Sequence, residues 1–188
     1  MKKLILLALI IIFTACNGNV SFPLTQHIEE QTVKGILLNI KGDGCNFSGA
    51  EKLFNILTEP ISIDIENSQE FKQQAPKQIT GIILDKVVLK ITDTMKASSD
   101  DIDNFDFLNS IKIVAEYPND SSKSVVIGEL DEVPQGVTEI TISGNGANIA
   151  DFFDGTKFKI TTKTDGHPPC DNESFDGDIT LVIEGKLF

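Results

Sequence analysis

The two histidines of the chain, His27 and His167, are the first places to look for a catalytic or metal centre. His167 opens the run His167-Pro168-Pro169-Cys170-Asp171, which offers a nitrogen, a thiolate and a carboxylate to a metal ion. A tetrahedral site needs a fourth ligand, and two consecutive prolines hold the backbone extended, which spreads the three donors apart. His27 stands near the start of a predicted strand, where an ordinary surface histidine is the simpler interpretation. Neither histidine therefore predicts a reactive centre.

Two acidic segments carry the oxygen ligands that calcium prefers. The first holds Asp101, Asp103 and Asp106, and the second spans residues 171–178. Neither fits an EF-hand loop, because Phe105 and Phe175 occupy the places of the third ligand. We therefore keep Asp101, Asp103 and Asp106 as calcium candidates, with a solvated acidic loop as the alternative.

Motifs for acyl transfer and dinucleotide binding are missing. The chain has no Gly-x-Ser-x-Gly elbow and no Ser-x-x-Lys pair. Gly144-Asn145-Gly146 follows a predicted strand, but Ile149 stands where a dinucleotide loop has its third glycine. The sequence therefore predicts a glycine-rich turn there and a protein that is not an enzyme and has no cofactor.

If Cys16 serves another purpose, two cysteines remain, Cys45 and Cys170, and they could pair with each other. An oxidising compartment would permit a disulfide between them, which would close a loop of about 125 residues and contribute at most about 5 kcal/mol. Two unpaired thiols are the alternative, because spacing alone does not bring two Cα atoms within bonding range.

The first sixteen residues have the order of an export signal. Basic Met1-Lys2-Lys3 precedes the apolar run Leu4 to Phe13, which is too short to cross a bilayer, and Thr14-Ala15-Cys16 follows. The four residues that end at Cys16 resemble the lipobox of bacterial lipoproteins, with Phe13 where leucine is usual. This resemblance implies cleavage before Cys16 and covalent lipid on its thiol; cleavage nearby by ordinary signal peptidase is the alternative.

These observations divide the chain into three parts. Residues 1–15 are predicted to be a lipoprotein signal peptide, residues 16–24 the lipidated cysteine with a polar tether, and residues 25–188 one domain. Loss of Lys2 and Lys3 with the signal leaves 14 basic residues, none of them arginine, against 28 acidic ones, a net charge of −14. Nucleic acid is therefore an unfavourable partner, and attachment to a membrane would depend on acyl chains.

Period-two alternation dominates the chain after Pro60 and predicts strands with one buried face. The alternating sets are Ile61, Ile63 and Ile65; Ile111, Ile113 and Ala115; Val125 and Ile127; Ile140 and Ile142; Phe158, Ile160 and Thr162; and Ile179, Leu181 and Ile183. Residues 82–91 are apolar at positions of both parities, which predicts a central strand buried on both faces. Residues 27–33 are a weaker strand candidate.

Three short segments look helical: residues 48–57 behind a capping box, residues 68–74, and residues 147–153. None is long enough for the crossover of a parallel sheet. The sequence therefore predicts an all-β protein, an antiparallel immunoglobulin-like β-sandwich of about seven to nine strands with short helical connections. A closed barrel is the alternative.

The mature chain resembles a loosely defined group of uncharacterised predicted bacterial lipoproteins with a single β-sandwich domain. The likeness rests on residues 28–33, 87–94, 103–111 and 179–187. It implies a lipid-anchored sandwich in the cell envelope, at the outer membrane of a Gram-negative bacterium, and implies no catalytic residue.

Two functions follow as hypotheses. The first is a non-enzymatic binding or structural module that presents its loops to an envelope protein or a carbohydrate. The second is a carrier of a lipid or other apolar ligand between the sheets, suggested by the doubly apolar segment 82–91.

Overall fold

A computed structural model describes residues 18–33, 56–57, 60–74, 76–92, 103–117, 120–153, 157–167, 169 and 172–187. These residues form eight strands: β1 (Asn19–Val33), β2 (Ile61–Asp64), β3 (Gln78–Ile91), β4 (Leu108–Tyr117), β5 (Asp120–Leu130), β6 (Glu139–Gly144), β7 (Lys157–Gly166) and β8 (Glu173–Lys186). The pairings between neighbouring strands are antiparallel. The prediction of an all-β, antiparallel protein is confirmed.

The strands form one hydrogen-bonded order, β1-β8-β3-β6-β5-β4-β7-β2. The two edge strands, β1 and β2, approach each other, because the Gln26 side-chain amide on β1 donates to the Ser62 carbonyl on β2 over 3.3 Å. The sheet is therefore nearly closed, and a side chain rather than a backbone ladder bridges its seam.

Strand β1 starts earlier than the sequence predicts. It runs from Asn19, so residues 19–24 of the predicted tether belong to the sheet. The reason is alternation that starts before residue 25: Phe22 and Leu24 are buried, whereas Pro23 and Thr25 between and after them are exposed. Little chain is left between Cys16 and the sheet.

Strand β3 contains a β-bulge at Asp85, where the register with β8 steps from Leu84 to Lys86. Because of the extra residue, even-numbered residues face the core before the bulge and odd-numbered residues face it afterwards. Ile82 and Leu84 before it and Val87 and Leu89 after it are therefore all buried. The expectation of two buried faces is therefore corrected: β3 has one core face, and Ile83 and Val88 on the other face are only half-buried.

Gly144, at the end of β6, lies beside this bulge. A Cβ atom at residue 144 would lie 1.8 Å from the Leu84 carbonyl oxygen. The absence of a side chain at this residue therefore permits the bulged strand and β6 to approach.

One hydrophobic core is built from the inward faces of the strands. Its largest fully buried side chains include Phe105, Phe158 and Phe175, and the Phe105 and Phe175 rings lie 6.3 Å apart. Phe105 precedes β4 and Phe175 lies on β8, so the core joins strands that are distant in the hydrogen-bonded order.

Two of the three predicted helical segments are confirmed, although both are shorter than predicted. α1 (Gln69–Gln74) follows Ser68, whose hydroxyl accepts the Phe71 amide hydrogen over 3.1 Å as an N-terminal cap. The second is a 3-10 helix (Ala150–Phe152). Most of the segment 48–57 lies outside the described residues. Within the described ranges, no helix has the length and apolarity needed to cross a membrane.

Candidate functional site

The sheet has two ends, and they carry different groups. At the end that we call the N-terminal end, Asn19 of β1 and Gln78 of β3 both pair with Lys186 of β8. At the opposite end, which we call the loop end, Val33 pairs with Glu173 and Leu108 pairs with Gly166. The strands between them are up to 15 residues long, so the two ends are roughly 45 Å apart along a strand.

The calcium candidates Asp103 and Asp106 lie at the loop end, and Asp101 lies outside the described residues. The Asp106 carboxylate accepts the Gly136 amide hydrogen, and the Asp106 amide donates to the Asn104 side-chain oxygen over 2.8 Å. Among the described residues, no three His, Cys, Asp or Glu side chains are grouped as a metal ion would require. Asp106 thus has a structural role that the sequence did not predict: it links two loops.

Backbone hydrogen bonds join the loops of this end to one another. The Phe105 amide donates to the Val137 carbonyl over 3.0 Å, and the Val133 amide donates to the Asn109 carbonyl over 2.9 Å. The His167 amide donates to the Phe107 carbonyl over 2.9 Å. The loops around residues 103–109, 131–138 and 166–167 therefore form one connected surface, which we call the loop platform. The rings of Phe105, Phe107 and Phe175 at this end are buried in the core.

His27 lies on the solvent face of the sheet, away from this platform. It pairs with Asp178 across β1 and β8, with 3.1 Å between His27 Nδ1 and Asp178 Oδ1, and both side chains are more than half exposed. Beside them the hydroxyls of Thr25 and Thr180 are 3.3 Å apart. These are ordinary cross-strand pairs of a solvated sheet face, each worth roughly 0.2–1 kcal/mol.

Gly144-Asn145-Gly146 forms the predicted turn. The side-chain Nδ2 of Asn145 donates to the Val126 carbonyl over 2.9 Å, and its side-chain oxygen accepts the backbone amide hydrogen of Ala147 over 3.0 Å. Gly146 has φ of 81°, which favours glycine.

Cys16, Cys45 and Cys170 all lie outside the described residues, so both the lipidation site and the disulfide stay predictions.

The N-terminal end holds a feature that the sequence did not predict, a cavity of about 310 Å³. We call it the N-terminal cavity. Its lining comes from the segment around α1, the start of β3 and the 3-10 helix: Glu66, Phe71, Pro76, Lys77, Ile79, Ala150 and Phe153. Because three separate segments build it, no local pattern in the sequence signals it.

Comparison with protein-family models finds no match, and comparison with curated proteins finds none either. Among solved structures, the chain is similar to the BFDV capsid protein in its 60-mer crystal structure, with 9% identity, a TM-score of 0.46, and coverage of 92% of this chain and 95% of that one. It is also similar to the same capsid protein in its decameric crystal structure, with 6% identity, a TM-score of 0.41, and coverage of 88% and 98%. These values assign no function.

Proposed function

We propose that the protein is a non-enzymatic binding module, held at the cell envelope by lipid on Cys16, that presents the loop platform to an envelope protein or a carbohydrate. The observation that carries the proposal is the placement of the two ends. Residue 16, the predicted attachment point, is three residues before the first residue of β1, and the platform lies at the other end of the strands. Three residues span at most about 10 Å, so lipid on Cys16 would hold the N-terminal end against a membrane and direct the platform away from it.

The connected loops support a binding role. A surface whose loops are already hydrogen-bonded loses little conformational freedom when it binds, so more of its contact energy appears as affinity. The excess of acidic residues suits a partner other than nucleic acid.

We also infer that the nearly closed sheet is flattened into a two-sheet sandwich. Two residue pairs join β5 to β6, Gly128 with Gly144 and Glu129 with Ser143, so the pairing there is short. At the β1–β2 seam a side-chain hydrogen bond takes the place of paired backbones. Division at these two places yields two four-stranded halves, β1-β8-β3-β6 and β5-β4-β7-β2. The contact between Phe105 and Phe175 joins the halves through the core.

The strand order favours a jelly roll within this class of sandwich. In an immunoglobulin domain the first two strands share a sheet. Here β1 and β2 fall in opposite halves, and the first strand pairs with the last. Successive strands change halves at every step except between β4 and β5, which pair with each other. This is the order of a double Greek key, so we prefer the jelly roll to the immunoglobulin-like arrangement predicted from the sequence.

The alternative function, a carrier with its ligand between the sheets, has less support. Its basis is that segment 82–91 has apolar residues at both odd and even positions. The bulge at Asp85 accounts for that pattern without a ligand. The inward side chains of β3 are packed in the common core.

The anchor is tested by flotation and intact-mass measurement of the chain expressed with its own signal. We expect the wild-type protein to float with membrane vesicles and to have the mass of residues 16–188 plus acyl chains. Cys16→Ser should lose both the acyl mass and cleavage before residue 16, because the thiol is the acyl acceptor. The same spectrum, recorded with and without reductant, reports whether Cys45 and Cys170 are joined.

Cys45→Ser is the matched control, since it removes a thiol without removing the attachment point, and its acylation should equal that of the wild type. A wild-type mature chain that is unmodified and freely soluble would contradict the proposal.

A further inference from the structure

Asn145 joins β6 to β5 at the place where the described strand pairing is shortest. Two residue pairs make up that ladder, and Gly144 ends it. The backbone amide of Asn145 then donates to the Ile127 carbonyl over 2.9 Å, and its side-chain Nδ2 donates to the Val126 carbonyl over 2.9 Å. One exposed residue therefore adds two hydrogen bonds to a short junction.

The residue after Asn145 is glycine, and this order permits a reaction within the chain. The backbone nitrogen of Gly146 attacks Asn145 Cγ, and the new N–C bond closes a five-membered succinimide. The side-chain nitrogen leaves as ammonia and takes up the proton that the Gly146 nitrogen loses. Water then opens the ring at either carbonyl and yields aspartate or isoaspartate. Residue 146 has no Cβ to crowd the attacking nitrogen.

The local structure favours this attack. Asn145 and Gly146 are both exposed, and apart from its chain neighbours no heavy atom lies within 4 Å of the place where a Gly146 Cβ would be. The Ala147 amide hydrogen is donated to Asn145 Oδ1 over 3.0 Å. Negative charge develops on that oxygen when Cγ is attacked, and a backbone N–H already directed at it stabilises the charge.

The bond that restrains the side chain is easily opened. Nδ2 of Asn145 is held by the Val126 carbonyl, and this contact lies just beyond the end of a ladder of two residue pairs. Strand ends with few paired residues open at a lower free energy than the centre of a sheet. The side chain can therefore turn towards Gly146 without unfolding of the sheet.

Asn148 has similar contacts and a different successor. Its Nδ2 donates to the Thr80 carbonyl over 3.1 Å, and its Oδ1 accepts the Ala150 amide hydrogen over 2.9 Å. The next residue is Ile149, which is buried. Because its side chain is β-branched and stiff, it crowds the nitrogen that would attack. Of these two asparagines in one turn, only Asn145 precedes a residue that permits ring closure.

We propose that Asn145 is a deamidation site of the folded protein and that its conversion loosens the junction between β5 and β6. The carboxylate of the product has no N–H to donate to the Val126 carbonyl and places a negative charge beside that oxygen. Isoaspartate also lengthens the backbone by one carbon atom and so displaces the turn that follows. This modification is independent of the lipid anchor and of the binding role proposed above.

The test incubates the full, folded chain in mildly alkaline buffer at physiological temperature, followed by peptide mapping with isoaspartyl methyltransferase labelling. We expect aspartate and isoaspartate to form at residue 145 at least about tenfold faster than at residue 148. Fragmentation of the peptides localises each change and separates it from Asn17-Gly18, the other Asn-Gly pair of the chain.

The chain unfolded in urea gives the reference rate. A rate at residue 145 in the folded chain that is within about tenfold of the reference supports the proposal. A slower rate would show that the fold protects Asn145, and equal rates at residues 145 and 148 would show that Gly146 gives no advantage; either result overturns the site.

The effect on the junction is measured by hydrogen exchange of residues 127–129 and 143–145. Asn145→Asp should raise the exchange there about five- to tenfold, the change that corresponds to the loss of one hydrogen bond. Asn148→Asp is the matched control: it removes an amide donor directed at β3 instead, and should leave this exchange within about twofold of the wild type. Thermal unfolding verifies that both variants are folded.

The same exchange, recorded on wild-type chain converted by incubation, measures the effect without a variant. Exchange at the junction that is unchanged after conversion of residue 145 would overturn the proposed loosening.

Discussion

At the scale of single residues, the side chains with the most defined roles are those that connect loops. Asp106 is the clearest case. It was a calcium candidate from its neighbours in sequence, but its carboxylate accepts the amide hydrogen of Gly136, thirty residues further along the chain. A carboxylate that accepts a backbone N–H has a structural use that does not depend on a metal ion.

We therefore expect Asp106→Ala to lower the free energy of unfolding by about 1.5 kcal/mol, the lower end for a hydrogen bond to a charged group because residue 106 is half-buried. Denaturant unfolding measures this change. Asp131→Ala, at an exposed residue of the same platform, should cost less than about 0.5 kcal/mol. A calcium-dependent rise in wild-type stability that Asp106→Ala abolishes would instead restore the calcium site.

Folding lowers the pKa of the carboxyl of Asp120, the first residue of β5. A hydrogen bond from the Ser122 hydroxyl is the largest effect and lowers the pKa of the Asp120 carboxyl. Desolvation is the next largest and opposes it, and the Ser122 amide and Lys123 add smaller effects in the lowering direction. A pKa lowered by folding means that the charged carboxylate stabilises the folded state above the ordinary pKa, and that this contribution is lost as the pH falls below about 4.

Ser122→Ala should therefore raise the pKa of Asp120 towards its ordinary value, and any loss of stability should be present at neutral pH and disappear in acid. An NMR titration of the Asp120 carboxyl measures the shift. Ser124→Ala, two residues further along and also exposed, should leave the titration of Asp120 in place. No shift in Ser122→Ala would contradict the assigned cause.

At the scale of elements, the bulge in β3 decides which side chains enter the core. The segment has apolar residues at 82 and 84 and again at 87 and 89, so its period shifts by one residue at Asp85-Lys86. One inserted residue brings both pairs to the same face. This explains why an apolar run at both parities does not need a ligand or a second buried face.

The bulge requires a close approach at Gly144, and this can be tested. Gly144→Ala would place a Cβ atom 1.8 Å from the Leu84 carbonyl oxygen, which the backbone must move to avoid. We expect a loss of about 1–3 kcal/mol in the free energy of unfolding, the usual cost of overpacking. Ser143→Ala, at the exposed neighbouring residue, should change it by less than about 0.5 kcal/mol. Equal stabilities of the two variants would show that β6 can shift away from the bulge at no cost.

At the scale of the whole molecule, the function that we propose depends on which groups share an end of the sheet. The antiparallel pairing of β1 with β8 and of β8 with β3 brings residues 18, 77 and 186 together at one end. The same pairing sends the loop platform to the other end. If Cys16 carries lipid, one end faces the membrane with the N-terminal cavity, and the other end faces possible partners.

The sequence by itself determined the all-β class, most of the strands and two of the short helical segments. These depend on local patterns: alternation within a strand, a serine cap before residue 69, and Gly-Asn turn residues act over a few neighbours in the chain. The tertiary structure alone decided the strand order, the near closure at Gln26 and Ser62, the bond between Asp106 and Gly136, and the N-terminal cavity. Each of these joins residues far apart in sequence, and such contacts follow from packing one buried face against another, which no local pattern encodes.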